Sequence, residues 1–256
     1  MTTVTSTSLT FTGHGDDLIQ AERFDPPGGA GPTSAVVLVH EVFGLDAFAR
    51  DTASRLAEAG HVVMVPDLYS REGLPGPGGT PDAPAPEWTE EQILRASSDI
   101  PDRRAVSDLE AAVSHLAGSG GVDPERIGAL GLGLGGKLAL LLGCQSRQLA
   151  AVVDFYGPIR YADLGPLQPV QPLEMTLNLS CPLLAIFGEN DPTIPIADVE
   201  DLREKMTAFA KPAEIVVVPG VGHGFMNHLR SSWSEAASPE AWARTLGFLE
   251  EVLAAD

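Results

Sequence analysis

The chain has 256 residues, 44% apolar and 20% charged, which is enough to bury one substantial core and too apolar for a disordered segment. Its formal net charge of −19 repels phosphate backbones and anionic lipid, so nucleic acid and membrane surfaces are poor partners and a small-molecule substrate is the better expectation. No basic residue followed by an apolar stretch opens the chain, and no apolar run approaches the length of a membrane span, so a cytoplasmic protein is expected.

Leu9–Thr12 and Leu18–Phe24 read as short strands joined by the turn Gly13-His14-Gly15-Asp16. A Pro/Gly stretch, Asp25–Pro32, leads into Ala35–His40, a β-branched run typical of a strand buried on both faces. Ala47–Ala59 has helical spacing and stops at Gly60, and His61–Val65 is a further apolar strand. Pro66–Glu87 is loaded with Pro and Gly and reads as a long irregular excursion. Trp88–Ala96 and Arg103–Ala117 are predicted helices, the second with Val106, Leu109, Ala112, Val113 and Leu116 on one face.

Arg126–Leu142 then runs strand, glycine turn, helix, and Ala150–Phe155 is a strand. After a Pro-rich loop, Gly157–Ser180, the order is strand Pro182–Phe187, helix Ile196–Phe209, strand Glu214–Val218 and helix Pro239–Ala254. Cys144 and Cys181 lie in or beside apolar runs, make no CxxC pair, and are expected to be buried free thiols. Alternating strands and helices predict an α/β fold with a mostly parallel central sheet flanked by helices, in a single domain over 1–256.

The strand–turn–helix unit carries the chemistry. Gly131-Leu132-Gly133-Leu134-Gly135 has the form of the nucleophile elbow of an α/β-hydrolase, in which a Ser, Cys or Asp stands between two glycines. Here Gly133 takes that place, so the nucleophile position is vacant. In that fold the acid and the histidine follow the nucleophile in sequence, each after a strand. Asp191, in Gly188-Glu189-Asn190-Asp191-Pro192, and His223, in Gly222-His223-Gly224-Phe225, meet this requirement, with Glu189 as the fallback acid. Asp191 is expected to orient His223, and His223 to act as general base or acid. Glu41, directly after the buried strand Ala35–His40, is expected at the same rim of the sheet.

These pieces resemble the dienelactone hydrolase family. The matching segments are Val39-His40-Glu41-Val42-Phe43-Gly44-Leu45, Val65-Pro66-Asp67-Leu68-Tyr69, Asp108-Leu109-Glu110-Ala111-Ala112, Gly131–Gly136, Tyr156-Gly157, Gly188–Pro195 and Gly222–Phe225, spread in order over nearly the whole chain. The resemblance implies that Glu41 holds the position of the glutamate that helps activate the family's cysteine. It also implies that the backbone amides of Val42 and Leu134 form an oxyanion hole, which survives the loss of a side chain at 133. Two departures set this chain apart: Gly133 replaces the cysteine, and Asn227 stands where the dienelactone-cleaving members carry an arginine that holds the substrate carboxylate. Tyr69, Tyr161 and Asn227 are the candidate substrate-binding side chains, in a pocket suited to a neutral lactone or ester of polyketide-like character. Arg71 and Arg160 are the few charges expected in its walls. No cofactor is required, and the five-residue separation of His223 and His228 does not match a helical metal-ligand pair.

Two other readings compete. Gly131–Gly136 also satisfies G-x-G-x-x-G, with Asp154 eighteen residues on, where a dinucleotide-binding oxidoreductase carries its ribose-binding acid. The absence of a nucleophile also suits a pseudoenzyme that binds a small molecule without turning it over.

Overall fold

The computed structural model describes residues 3–28, 31–72 and 89–255. Eight strands form one sheet: β1 (Thr5–Thr12), β2 (Leu18–Asp25), β3 (Thr33–Val39), β4 (Val62–Pro66), β5 (Val122–Leu132), β6 (Ala151–Phe155), β7 (Leu183–Gly188) and β8 (Ala213–Val218). Their spatial order is β1-β2-β4-β3-β5-β6-β7-β8. From β4 to β8 every neighbouring pair is parallel, whereas β1 and β2 form an antiparallel hairpin that docks antiparallel on β4. The helices are α1 (Ala47–Glu58), α2 (Glu90–Asp99), α3 (Asp102–Ala117), α4 (Leu134–Gln145), α5 (Pro172–Met175), α6 (Ile196–Ala208) and α7 (Ala237–Val252). Among the described residues no helix is long and apolar enough to cross a membrane.

The central strands are apolar throughout because helices cover the sheet, so neither face needs polar side chains. Val36–Val39 on β3 and Val152 and Val153 on β6 have no exposed surface. At the hairpin edge that logic stops. β1 begins at Thr5, four residues before the predicted Leu9, because the polar run Thr-Ser-Thr-Ser pairs by backbone with Glu22–Asp25 and needs no apolar side. β5 likewise begins at Val122 rather than Arg126, because Val122 is buried and pairs with Thr33 on β3 ahead of the exposed Pro124 and Glu125. The Pro-rich loop after β6 contains the short helix α5, whose Leu173 is buried. Most of the excursion Pro66–Glu87, together with Trp88, lies outside the described residues.

One turn positions the functional site. Between β5 and α4 the chain reverses on Gly133, at φ 54° and ψ −116°, in a region where side chains are strained. The Gly133 amide donates to the Phe155 carbonyl at 2.9 Å, tying the tip to the end of β6. The flanking glycines permit the close crossing: a Cβ on Gly131 would overlap the Gly135 carbonyl, and one on Gly135 the Val39 carbonyl.

Candidate active site

The candidate side chains come from loops at the carboxyl ends of parallel strands, the edge where such sheets present their sites. The loop after β7 turns on Asp191, whose Oδ1 accepts from the amides of Thr193 and Ile194 at 2.8 and 3.2 Å and from the Thr193 hydroxyl at 2.7 Å. Its other oxygen, Oδ2, lies 2.7 Å from His223 Nδ1. Burial works to raise the Asp191 pKa, but the hydrogen bond and charge of His223, with the Thr193 donors, outweigh it and hold the carboxyl below its ordinary value. Asp191 is therefore ionised at neutral pH and accepts a hydrogen bond from Nδ1–H, leaving His223 Nε2 as the nitrogen available for chemistry. Glu189, the fallback acid, instead accepts from the Gly220 amide at 2.9 Å.

Glu41 follows β3 and is 8% exposed. Both of its oxygens are taken: Tyr156 Oη donates to Oε1 at 3.1 Å and Asn227 Nδ2 to Oε2 at 2.6 Å. Burial raises the Glu41 pKa to about 7, with these two hydrogen bonds and the His223 charge pulling against it and Asp46 adding to it. The group thus changes charge near neutrality. Tyr156 also packs edge-on against the His223 ring, 5.1 Å between centroids, and against Phe225, 5.6 Å. It sits at φ 42°, a left-handed conformation rare for an aromatic residue and characteristic of strained functional positions.

Gly133 faces this group. A Cβ built on it would stand 3.7 Å from His223 Nε2 and 3.9 Å from both Glu41 Cγ and Tyr156 Cε2. The elbow tip, the histidine and the glutamate, far apart in sequence, therefore converge on one point. Leu134 opens α4, and its amide is one of the donors a helix leaves without an internal acceptor. Val42 lies on the loop leaving β3, and that loop is firmly held. His40 Nδ1 donates to the Glu41 carbonyl at 2.6 Å, the Leu68 amide donates to His40 Nε2 at 3.1 Å, and the Gly44 amide returns to the Glu41 carbonyl at 3.1 Å. Burial depresses the His40 pKa, which keeps this ring neutral, as a ring that both donates and accepts must be.

The three candidate substrate-binding side chains have other engagements. Asn227 has no exposed surface, gives its amide to Glu41, and accepts from the Leu229 amide through Oδ1. The Tyr69 hydroxyl donates to the Val42 carbonyl at 2.7 Å, and its ring stacks on His40. The Tyr161 hydroxyl donates to Asp102, which also receives the buried Lys137 ammonium at 2.8 Å. Arg71 is paired with Asp17 and Asp108, and Arg160 with Asp198 and Asp201, so neither is an uncommitted charge in a pocket wall.

Asp154, the acid required by a dinucleotide site, lies fully buried on β6, where Oδ1 accepts from the Gly157 amide at 2.8 Å. No ribose can reach it, and the glycines of the G-x-G-x-x-G run serve the close strand–helix crossing instead. Among the described residues no cluster of three or more His, Cys, Asp or Glu side chains could hold a metal ion. A cavity of about 520 Å³ opens elsewhere, between the β1–β2 hairpin and the loop after Val42; Thr10, Gln20, Glu22, Phe43, Leu45 and Asp67 line it, and Glu41, Asp191 and His223 do not.

The family model of the dienelactone hydrolase family matches residues 19–253. The chain belongs to the dienelactone hydrolase family. Relatives of this dienelactone hydrolase family member include a Methylorubrum extorquens protein named "Putative carboxymethylenebutenolidase", 31% identical over 229 residues, which are 90% of this chain and 75% of that one. An Escherichia coli K12 protein of the same name is 31% identical over 235 residues, 92% of this chain and 83% of that one. The crystal structure named "Putative Dienelactone Hydrolase" from Klebsiella pneumoniae superposes with a TM-score of 0.85 at 28% identity, over 97% of this chain and 99% of that chain. For this family member, sequence reasoning missed Tyr156, Thr193 and the role of Asn227. Tyr156 had a signal in the Tyr-Gly pair closing a strand; the other two are visible only as contacts.

Proposed function

We propose that this family member acts on a small, neutral lactone or ester, of polyketide-like character, without forming a covalent intermediate at the elbow. His223, oriented by Asp191, removes a proton from water or from the substrate, and Glu41 is a second group able to give or take a proton near neutrality. The amides of Val42 and Leu134 receive the oxyanion that develops, as preorganised donors in a site partly closed to water. With glycine at the tip there is no side chain to acylate, so a ping-pong route through position 133 is closed. The same set serves hydrolysis and base-catalysed ring closure or isomerisation, since each begins with proton removal and passes through an oxygen anion.

The observation that carries this reading is the convergence of His223 Nε2 and Glu41 on the side-chain-free Gly133. No arginine occupies the Asn227 position, which favours neutral substrates over carboxylated ones. Turnover of a panel of neutral lactones and esters, set against carboxylate-bearing dienelactones, tests the proposal. Preference for the neutral set, abolished in His223→Ala and without any acyl adduct by intact mass, is expected. Preference for the carboxylated set or a covalent adduct refutes it.

A further inference from the structure

The tip of the elbow is a framed space rather than a featureless gap. The three atoms nearest to a Cβ at position 133 are His223 Nε2 at 3.7 Å, Glu41 Cγ at 3.9 Å and Tyr156 Cε2 at 3.9 Å. All are ordinary van der Waals separations, so among the described residues, the chain neighbours of Gly133 aside, no atom fills the place. Only one of the three is polar. Glu41 shows this space its methylene, because Tyr156 and Asn227 hold its two oxygens. His223 shows it Nε2, because Asp191 holds Nδ1.

The polarity of these walls discriminates between nucleophiles. A well-held buried water makes two to four hydrogen bonds; of the three atoms nearest to this place one is polar, and the Val42 and Leu134 amides are given to the oxyanion in the reading above. A hydroxyl or thiol attached to carbon has one proton to donate and an apolar remainder to pack. It matches a wall made of one acceptor, a methylene and an aromatic edge better than water does.

We propose that the niche over Gly133 binds the hydroxyl or thiol of an organic nucleophile, and that the protein transfers an acyl group to it in preference to water; this rests on the non-covalent reading above. As the bond forms between the nucleophile's oxygen or sulfur and the acyl carbon, His223 Nε2 takes the proton. The tetrahedral intermediate then collapses by breaking the bond from the acyl carbon to the leaving oxygen, which receives that proton from the imidazolium. An ester plus an alcohol gives a new ester plus the released alcohol, with no oxidant, reductant or water consumed. The nucleophile is either a separate molecule or a hydroxyl on the acyl chain itself, in which case the product is a ring.

The test measures how products partition. The wild-type protein is given para-nitrophenyl butanoate with graded 1-propanol, and propyl butanoate and butanoic acid are quantified by chromatography. In a second arm it is given para-nitrophenyl δ-hydroxypentanoate alone, and lactone and free acid are quantified. The expected result is an ester-to-acid or lactone-to-acid ratio at least tenfold above that of the uncatalysed reaction in the same mixture, and the arm that shows it identifies the source of the nucleophile. Gly133→Ala, whose methyl fills the niche, should bring the ratio back to the solvent value. Wild-type ratios equal to solvent in both arms, with His223-dependent release of nitrophenol intact, overturn this inference and leave the non-covalent reading standing. Absence of any His223-dependent release overturns both.

Discussion

The Asn227 side chain donates to Glu41 Oε2 at 2.6 Å across 186 residues of sequence, and both residues are buried. Burial raises the Glu41 pKa to about 7, and the Asn227 bond opposes that rise by serving the charged form. Asn227→Ala removes the opposing bond, so the Glu41 pKa moves higher still. The limb of kcat/KM that reports Glu41 should then shift to higher pH in this variant and disappear in Glu41→Gln. An unmoved limb in Asn227→Ala would show that the bond does not tune the glutamate.

His223 and Asp191 should be needed together. Replacing a positioned general base typically costs about 10²–10⁴-fold in rate. His223→Ala should lose at least that much in kcat. Asp191→Asn, which keeps the shape and frees the Nδ1 tautomer, should fall in the same range with KM little changed. Steady-state kinetics on a neutral lactone checks both.

Restoring a side chain at the elbow should restore covalent chemistry. Among the described residues beyond its chain neighbours a Cβ at position 133 meets nothing closer than 3.7 Å, so Gly133→Cys fits the space at the cost of about 1–3 kcal/mol of backbone strain. Its thiol would stand beside His223, and stopped-flow with an activated ester should show a burst with an acyl adduct by mass. Retained His223-dependent ester cleavage without burst or adduct would mean that the thiol is not presented to the base.

Asp154 sets a pH dependence on stability. It has no exposed surface, its Oδ2 has no hydrogen-bond partner among the described residues, and burial raises its pKa from an ordinary 3.8 to about 7, against the Gly157 amide and the His223 charge. Between those values the folded state binds more protons at this group than the unfolded state, so its contribution to stability is present at low pH and lost as pH rises through about 7. Asp154→Asn cannot ionise. Its Tm relative to the wild type should therefore climb from about pH 4 to about pH 7 and then level off. A difference independent of pH across that window would place Asp154 in its ionised form in the folded protein.

The sequence by itself determined the sheet and the order of its chemistry. β-Branched runs such as Ala35–Val39 and Val62–Val65 specify central strands because only a sheet covered on both faces buries such segments whole. Gly131 and Gly135 specify the elbow because no larger residue permits that crossing, and Gly133 because few residues tolerate its φ. The contact of Asp191 with His223 was legible from their places after successive strands. The polar half of β1 was not, since an edge strand held by backbone pairing leaves no apolar pattern. Nor was the duty of Asn227, Tyr69 and Tyr161, read as substrate-facing and found bonded to Glu41, Val42 and Asp102. Hydrogen-bond partners are chosen by position in space, and only the tertiary structure brings residues 41, 156, 223 and 227 to one point, so the charge that Glu41 carries was decided there.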